Sequence, residues 1–180
     1  MLKKTFYTFL FLTFFSLSSC NSNPFMNENK LDDLDIKANK ITFSTADELL
    51  KEKDLKMAGY GGGAPFGKIQ LFTLSLTYEK PLTIREARKL LIYSVNKFVK
   101  NINDYKEIKP YLSNYPVTEK NIEVVIISHG LDGRTAPIPY IAFSDSVKGK
   151  LQYQTDTTPL TTVHEETFAE AEKIIKEASK

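Results

Sequence analysis

The sequence predicts an α+β fold, a single layered domain in which about four mainly antiparallel strands carry helices on one face. Three observations predict it. Strand-like alternation occurs at 68–78 and again over 122–155. A strongly amphipathic helical stretch stands between them, at 84–102. A further helical stretch closes the chain, so helices and strands do not alternate regularly as in a doubly wound fold.

A short helix is expected from Ala46 to Met57. Thr45 and Glu48 form a capping-box pair, and Gly59 is a suitable stop. Ala46, Leu49, Leu50 and Met57 supply its apolar stripe. Residues 59–67, GYGGGAPFG, hold five glycines and a proline and are expected to be irregular. In the strand that follows, Phe72, Leu74, Leu76 and Tyr78 face one way, and Thr73, Ser75 and Thr77 the other. That implies one covered and one wetter face.

The helix at 84–102 opens on the pair Thr83 and Glu86, with Pro81 just upstream. Ile84, Ala87, Leu91, Val95, Phe98 and Ile102 keep its period, while Arg85, Lys89, Lys97 and Lys100 take the other side. A long connection over 103–121 carries Pro110 and Pro116. Ile122–Ser128 is a β-branched, buried strand, and Gly130, Asp132 and Gly133 mark a turn. Ile138–Ser144 is expected as the returning strand, and after Lys148-Gly149 comes a polar strand, Lys150–Thr155. Thr162 and Glu165 are expected to cap a last helix reaching Ala178. These last strands predict a three-stranded antiparallel meander. No repeat and no second domain is evident.

The 180 residues, 42% hydrophobic and 26% charged, suit one globular domain. There are 24 basic and 22 acidic residues, and the excess of two equals Lys3 and Lys4. The rest of the chain is balanced, without the basic field that nucleic acid binding uses, so no nucleic acid partner is expected. The one cysteine, Cys20, excludes an internal disulfide and a thiolate metal cluster. No cofactor is expected.

Residues 1–19 have the layout of a secretory signal: two lysines, an uncharged run from Thr5 to Leu17 rich in Phe and Leu, then small residues. The run is short for a membrane span, which takes about 20 apolar residues. Leu17-Ser18-Ser19-Cys20 resembles the lipobox of bacterial lipoproteins. The resemblance covers this segment alone. It implies lipidation of Cys20 through its sulfur, cleavage just before it, and stable membrane anchoring by two or three acyl chains. Asn21, where that family often has an aspartate to retain proteins at the inner membrane, implies the outer membrane. Residues 20–40, with asparagine at 21, 23, 27, 29 and 39, are expected to form a flexible tether, and 41–180 the globular domain.

Chemistry in the domain is sparse. Clustered glycines at 61, 62 and 63 can present backbone N–H groups to an anion. However, Gly67-Lys68 is followed by Ile69, which breaks the Walker pattern, and the glycines precede a strand, which breaks the Rossmann order. A hinge or close-packed turn is the plainer account. Ser128, His129 and Asp132 bring a hydroxyl, an imidazole and a carboxylate together, but strand neighbours point to opposite faces and no GxSxG elbow exists. His164-Glu165-Glu166 lacks the second histidine of a zinc helix, since Phe168 occupies that place, so no metal is expected. The acids suit a helix N-terminus.

Aromatic loops are the stronger functional signal. Tyr60 and Phe66 flank Gly61, Gly62 and Gly63; Tyr111 and Tyr115 lie in the long connection; Tyr140 follows two prolines. Such rings either make interface contacts or pin their loops. The expected function is a membrane-anchored envelope lipoprotein, a non-catalytic binding or scaffolding module for an envelope protein or cell-wall partner. The alternative is an envelope hydrolase using His129 and Asp132.

Overall fold

Alternation of apolar and polar side chains decides the architecture, because it leaves one face of a sheet to be covered. The computed structural model describes residues 28–178, with side chains from residue 33 onward. The signal segment, Leu17, Ser18, Ser19, Cys20 and the tether up to residue 27 lie outside the described residues. The chain runs α1 (Glu28–Lys53), β1 (Lys56–Gly63), β2 (Leu71–Tyr78), α2 (Ile84–Asp104), β3 (Ile122–Ser128), β4 (Phe143–Val147), β5 (Lys150–Thr155), β6 (Thr161–Thr167) and α3 (Phe168–Glu177). All six strands form one sheet in the order β1-β2-β3-β4-β5-β6. The α+β class with a single sheet holds, but the sheet has six strands, not four.

β2 and β3 pair in parallel, and every other neighbouring pair is antiparallel. α2 forms the crossover that a parallel pair requires. Thr83 and Glu86 cap it reciprocally as expected, and Leu91, Val95, Phe98 and Ile102 are fully buried. They meet Phe72, Leu74 and Leu76 of β2 and Ile122, Val124 and Ile126 of β3 within one core. The Phe72 and Phe98 rings pack edge to face, 5.8 Å between centroids. α1 and α3 flank α2 in the same layer, against β1 and β6 respectively. Among the described residues, no helix lies over the opposite face, which carries Ser75, Val125, Asp145, Gln152 and Glu165 in one cross-strand row.

Four expectations are corrected. The tether is helical from Glu28, and the helix expected at 46–57 is the second half of this longer α1. Thr45 is not its cap but lies buried within it, with Leu34, Ile41 and Leu49 on the same packed side. The helix stops at Asp54, not Gly59. Asp54 adopts φ 56, and the Leu55 N–H donates to Leu49 O at 3.4 Å, closing the last turn. Met57 consequently belongs to β1.

Second, the glycine segment is irregular only over 64–67, since Tyr60 through Gly63 pair with Leu74 through Leu71. Strand propensity is contextual, and β2 supplies a full ladder of partners. Third, Thr161–Thr167 is a strand, and α3 starts one capping box later, at Thr167 and Glu170. Both boxes are written in the sequence, and the β-branched run Thr161-Thr162-Val163 tips the first towards extended backbone. Fourth, the returning strand is Phe143–Val147 rather than Ile138–Ser144, because Pro137 and Pro139 cannot donate to a ladder. The meander therefore has four strands, β3 to β6. Lys148 and Gly149 make its tight turn, both at positive φ (51 and 78).

The glycines of β1 are not equivalent. A Cβ on Gly62 would stand 2.4 Å from Leu71 O, whereas one on Gly61 would meet nothing within 4 Å. Gly62→Ala is expected to destabilise the fold by roughly 1–3 kcal/mol. Gly61→Ala is expected to be neutral or to stabilise by up to about 1 kcal/mol through reduced unfolded-state entropy. Urea unfolding midpoints check this, and equal midpoints for the two variants would refute the close-approach account.

Candidate functional site

The Ser128–His129–Asp132 segment sits where β3 runs into its turn. Ser128 is buried, and its hydroxyl donates to Ile141 O. The His129 backbone N–H donates to Tyr78 O at 2.9 Å, and the ring Nδ1 is buried without a partner. Asp132 Oδ1 accepts the Arg134 N–H at 3.1 Å, and Oδ2 lies 3.9 Å from Arg134 Nε. Serine, histidine and aspartate thus serve three separate local arrangements. His129 shares a hollow of about 290 Å³ with Glu79 and the glycines of the turn.

The glycine strand lines a different space. β1 and α1 enclose a groove of about 200 Å³, with Asp35, Ala38, Asn39 and Thr42 on the helical side and Gly61, Gly62 and Gly63 on the other. Tyr60 closes one end by packing edge to face on Phe43, 4.8 Å between centroids. By register Gly62 is the one of the three on the helical face, beside Phe72, and it has no side chain to fill the groove. Paired in a ladder, they do not form an anion-binding nest; such nests use successive free N–H groups.

The predicted loop aromatics fall into two kinds. Tyr111 is a pin: its hydroxyl donates to Asp33 of α1, and Lys37 stands 5.7 Å from its ring centroid. The Lys37 and Tyr111 hydrogen bonds together hold the Asp33 carboxyl below its ordinary range. Phe66, Tyr115 and Tyr140 are free of the core, 90%, 50% and 39% exposed. Phe66 also takes φ 56, a left-handed conformation that a β-carbon disfavours.

The richest side-chain chemistry is a cluster that the sequence patterns did not reveal. Arg88 of α2 reaches across to β6, where its Nε meets Glu166 Oε1 at 2.6 Å. The Tyr153 hydroxyl of β5 donates to the same oxygen at 2.6 Å. Arg88 Nη2 lies 3.4 Å from His164 Nε2, which must accept, since a guanidinium only donates. The Arg88 and Glu166 side chains are 11% and 4% exposed, and Glu166 Oε2 is buried without a hydrogen bond, 3.6 Å from His164 Nε2. Burial, then the Glu166 carboxylate, pushes the Tyr153 phenol well above its ordinary range. Beside the cluster lies a groove of about 420 Å³ reaching Glu170 and Lys173 of α3. The signal was present: in a strand, His164 and Glu166 share a face by period two. Assigning those residues to a helix hid it.

The helix-free face of the sheet is the broadest unclaimed surface. It mixes Val125, Ile127 and Phe143 with Thr77, Gln152 and Gln154. At its centre, burial and then the charges of Glu123 and Glu165 raise the Asp145 carboxyl above its ordinary value. Among the described residues, no group of three or more His, Cys, Asp or Glu is placed to hold a metal. No family model matches the chain, and neither a curated protein nor a solved structure matches it.

These charges have measurable consequences. Arg88→Ala strands the buried Glu166 and is expected to cost about 3–5 kcal/mol. Replacing the three groups together (Arg88→Met, Tyr153→Phe, Glu166→Leu) is expected to recover most of that, as chemical denaturation would register. If the triple variant is as unstable as the single one, the loss was packing and not charge. For Asp145, the folded pKa lies above the unfolded one, so the fold binds the extra proton and stability falls as pH rises from about 4 through the raised value. Asp145→Asn should therefore stabilise the domain at pH 7 and make no difference below about pH 3.5. An Asn variant with the wild-type pH–stability curve would contradict the assignment.

Proposed function

We propose that this chain is a lipid-anchored protein of the bacterial cell envelope, held to the outer membrane through Cys20, whose domain binds or scaffolds an envelope protein or cell-wall partner without catalysing a reaction. The observation that carries the reading is the Leu17-Ser18-Ser19-Cys20 motif, standing behind two lysines and an uncharged Phe/Leu-rich run. Motif, run length and distance from the N-terminus agree with one another. Two or three acyl chains anchor stably where one binds only marginally.

The binding role is supported by the uncovered sheet face. A six-stranded sheet with helices on one side leaves a broad, mildly apolar surface on the other. Val125, Ile127 and Phe143 lie among hydroxyl and amide side chains there, a mixture typical of non-obligate interfaces. The hydrolase is the weaker reading because the Ser128 hydroxyl is committed to Ile141 O and the Asp132 carboxylate to its own turn. His129, with its unpartnered Nδ1, is what remains to support it.

Intact mass of the protein extracted from its native membrane tests the anchor: the expected species begins at Cys20 and carries acyl chains. Cys20→Ala should move the protein from the membrane pellet to the soluble fraction, and a variant that stays in the pellet would end the lipoprotein reading. For the binding face, Ile127→Lys is expected to abolish capture of the co-purifying partner without loss of folding, while His129→Ala leaves capture unchanged. The reverse pattern would favour the hydrolase.

A further inference from the structure

The two ends of the sheet differ in character. β2 and β3 start at the same end, and the loops there form one continuous surface. The Ile69 N–H donates to Tyr111 O at 2.7 Å and the Ser113 N–H to Ile69 O at 2.9 Å. Lys68 Nζ donates to Pro110 O at 2.6 Å. The Asn121 side chain reaches Gln70 O at 3.5 Å, and Glu119 and Lys120 flank Gly149 of the β4–β5 turn.

This surface carries an aromatic and basic set. Phe66, 90% exposed and held at φ 56, projects from it, and the loop keeps a large apolar ring in water despite an unfavourable backbone conformation. Tyr115 is half exposed, with Lys109 Nζ 4.0 Å from its ring centroid. Lys68, Lys106, Lys109, Lys120, Lys148 and Lys150 are exposed at this end, against Glu107 and Glu119 of the loops, Asp104 at the end of α2 and Glu170 at the start of α3. Among the described side chains of α1, Asp33 is engaged by Lys37 and Tyr111.

α1 also begins at this end, since Asp33 lies in its second turn and meets Tyr111. Cys20 precedes Glu28 by eight residues, a stretch that spans at most about 28 Å. A lipid on Cys20 would therefore keep this end of the domain, not the other, within reach of the bilayer.

We infer that this end is a second membrane contact. The Phe66 ring enters the headgroup boundary, and the lysine band lies over the phosphates of anionic lipids. The orientation rests on the lipid-anchor reading proposed above. Phenylalanine is among the apolar side chains that interfacial segments bury at that boundary, and lysines extend their stems along it while keeping the ammonium in the headgroups. Anionic lipid attracts each lysine brought near it. Docking this end holds the sheet edge-on to the membrane and leaves the helix-free face open to a partner.

The chain has no tryptophan, so Phe66→Trp introduces a single indole, which is excited selectively beyond the absorption of the tyrosines. The full-length variant, expressed in its native host and purified from the membrane in detergent, is reconstituted into vesicles of phosphatidylethanolamine and phosphatidylglycerol. Intact mass of the same sample reads acylation. A blue shift of the Phe66→Trp emission and its quenching by brominated lipid are the expected results, with the shifted fraction falling several-fold when phosphatidylcholine replaces the anionic lipid. Leu131→Trp is the control. Leu131 is 94% exposed at the far end of β3, about 20 Å away, and emission from that variant should not move. An acylated Phe66→Trp protein whose emission stays unshifted overturns the contact and leaves the anchor standing, and a shift in Leu131→Trp in its place overturns the contact equally. An unacylated Phe66→Trp chain whose emission still shifts on added vesicles supports the contact and refutes the anchor. No acylation and no shift refutes both.

Discussion

The parallel pairing of β2 with β3 is the constraint on which the rest of the structure depends. Parallel neighbours cannot be joined by a tight turn, so the chain must cross over, and α2 is the crossover. Its apolar stripe then has one place to go, onto Phe72, Leu74 and Leu76 and their partners Ile122, Val124 and Ile126. Once α2 covers that face, the parity of every other strand is set by register. Ser144 and Ser146 of β4, Leu151 and Tyr153 of β5, and His164 and Glu166 of β6 turn inward in step.

The same parity explains the charged cluster at the far edge of the helical layer. β6 contributes His164 and Glu166 to a face whose other polar groups are the small hydroxyls of Ser144 and Ser146 and the Tyr153 phenol. Arg88 extends from α2 to meet them, so an ion pair and a phenol do there what leucine does nearer the centre. Buried pairs of this kind add little net stability compared with apolar packing, yet removing one partner is costly. The cluster therefore constrains how α2 sits on the meander more than it strengthens the fold.

At the opposite edge, absence of side chains performs a similar task. Gly62 lets the backbone of β1 approach β2 more closely than a Cβ would allow, and with no side chain of its own it leaves a groove beneath α1. α1 in turn ties the point where the chain enters the domain to the loops around Tyr111. The domain thus has a polarity: one end gathers the incoming chain, Phe66 and a band of lysines, and the other carries the His129 turn and Leu131.

Local patterns sufficed where one physical signal stood unopposed. The alternation of β2 and β3, the period and capping box of α2, and the Lys148-Gly149 turn each follow from residues within a few positions of one another, and the structure repeats them almost residue for residue. The Leu17–Cys20 resemblance is likewise local, and it lies outside the described residues. Other outcomes depended on partners distant in sequence. The glycines of 59–63 become a strand only because β2 offers a ladder. Residues 161–167 extend because β5 pairs with them, although their threonine–glutamate spacing equally suits a helix start. Residues 28–40 look like a spacer until Leu34 and Ile41 find the core. The cluster of Arg88, Tyr153, His164 and Glu166 follows the same rule: beyond the period-two pairing of His164 with Glu166, four residues from three elements meet only when the sheet's register brings them face to face.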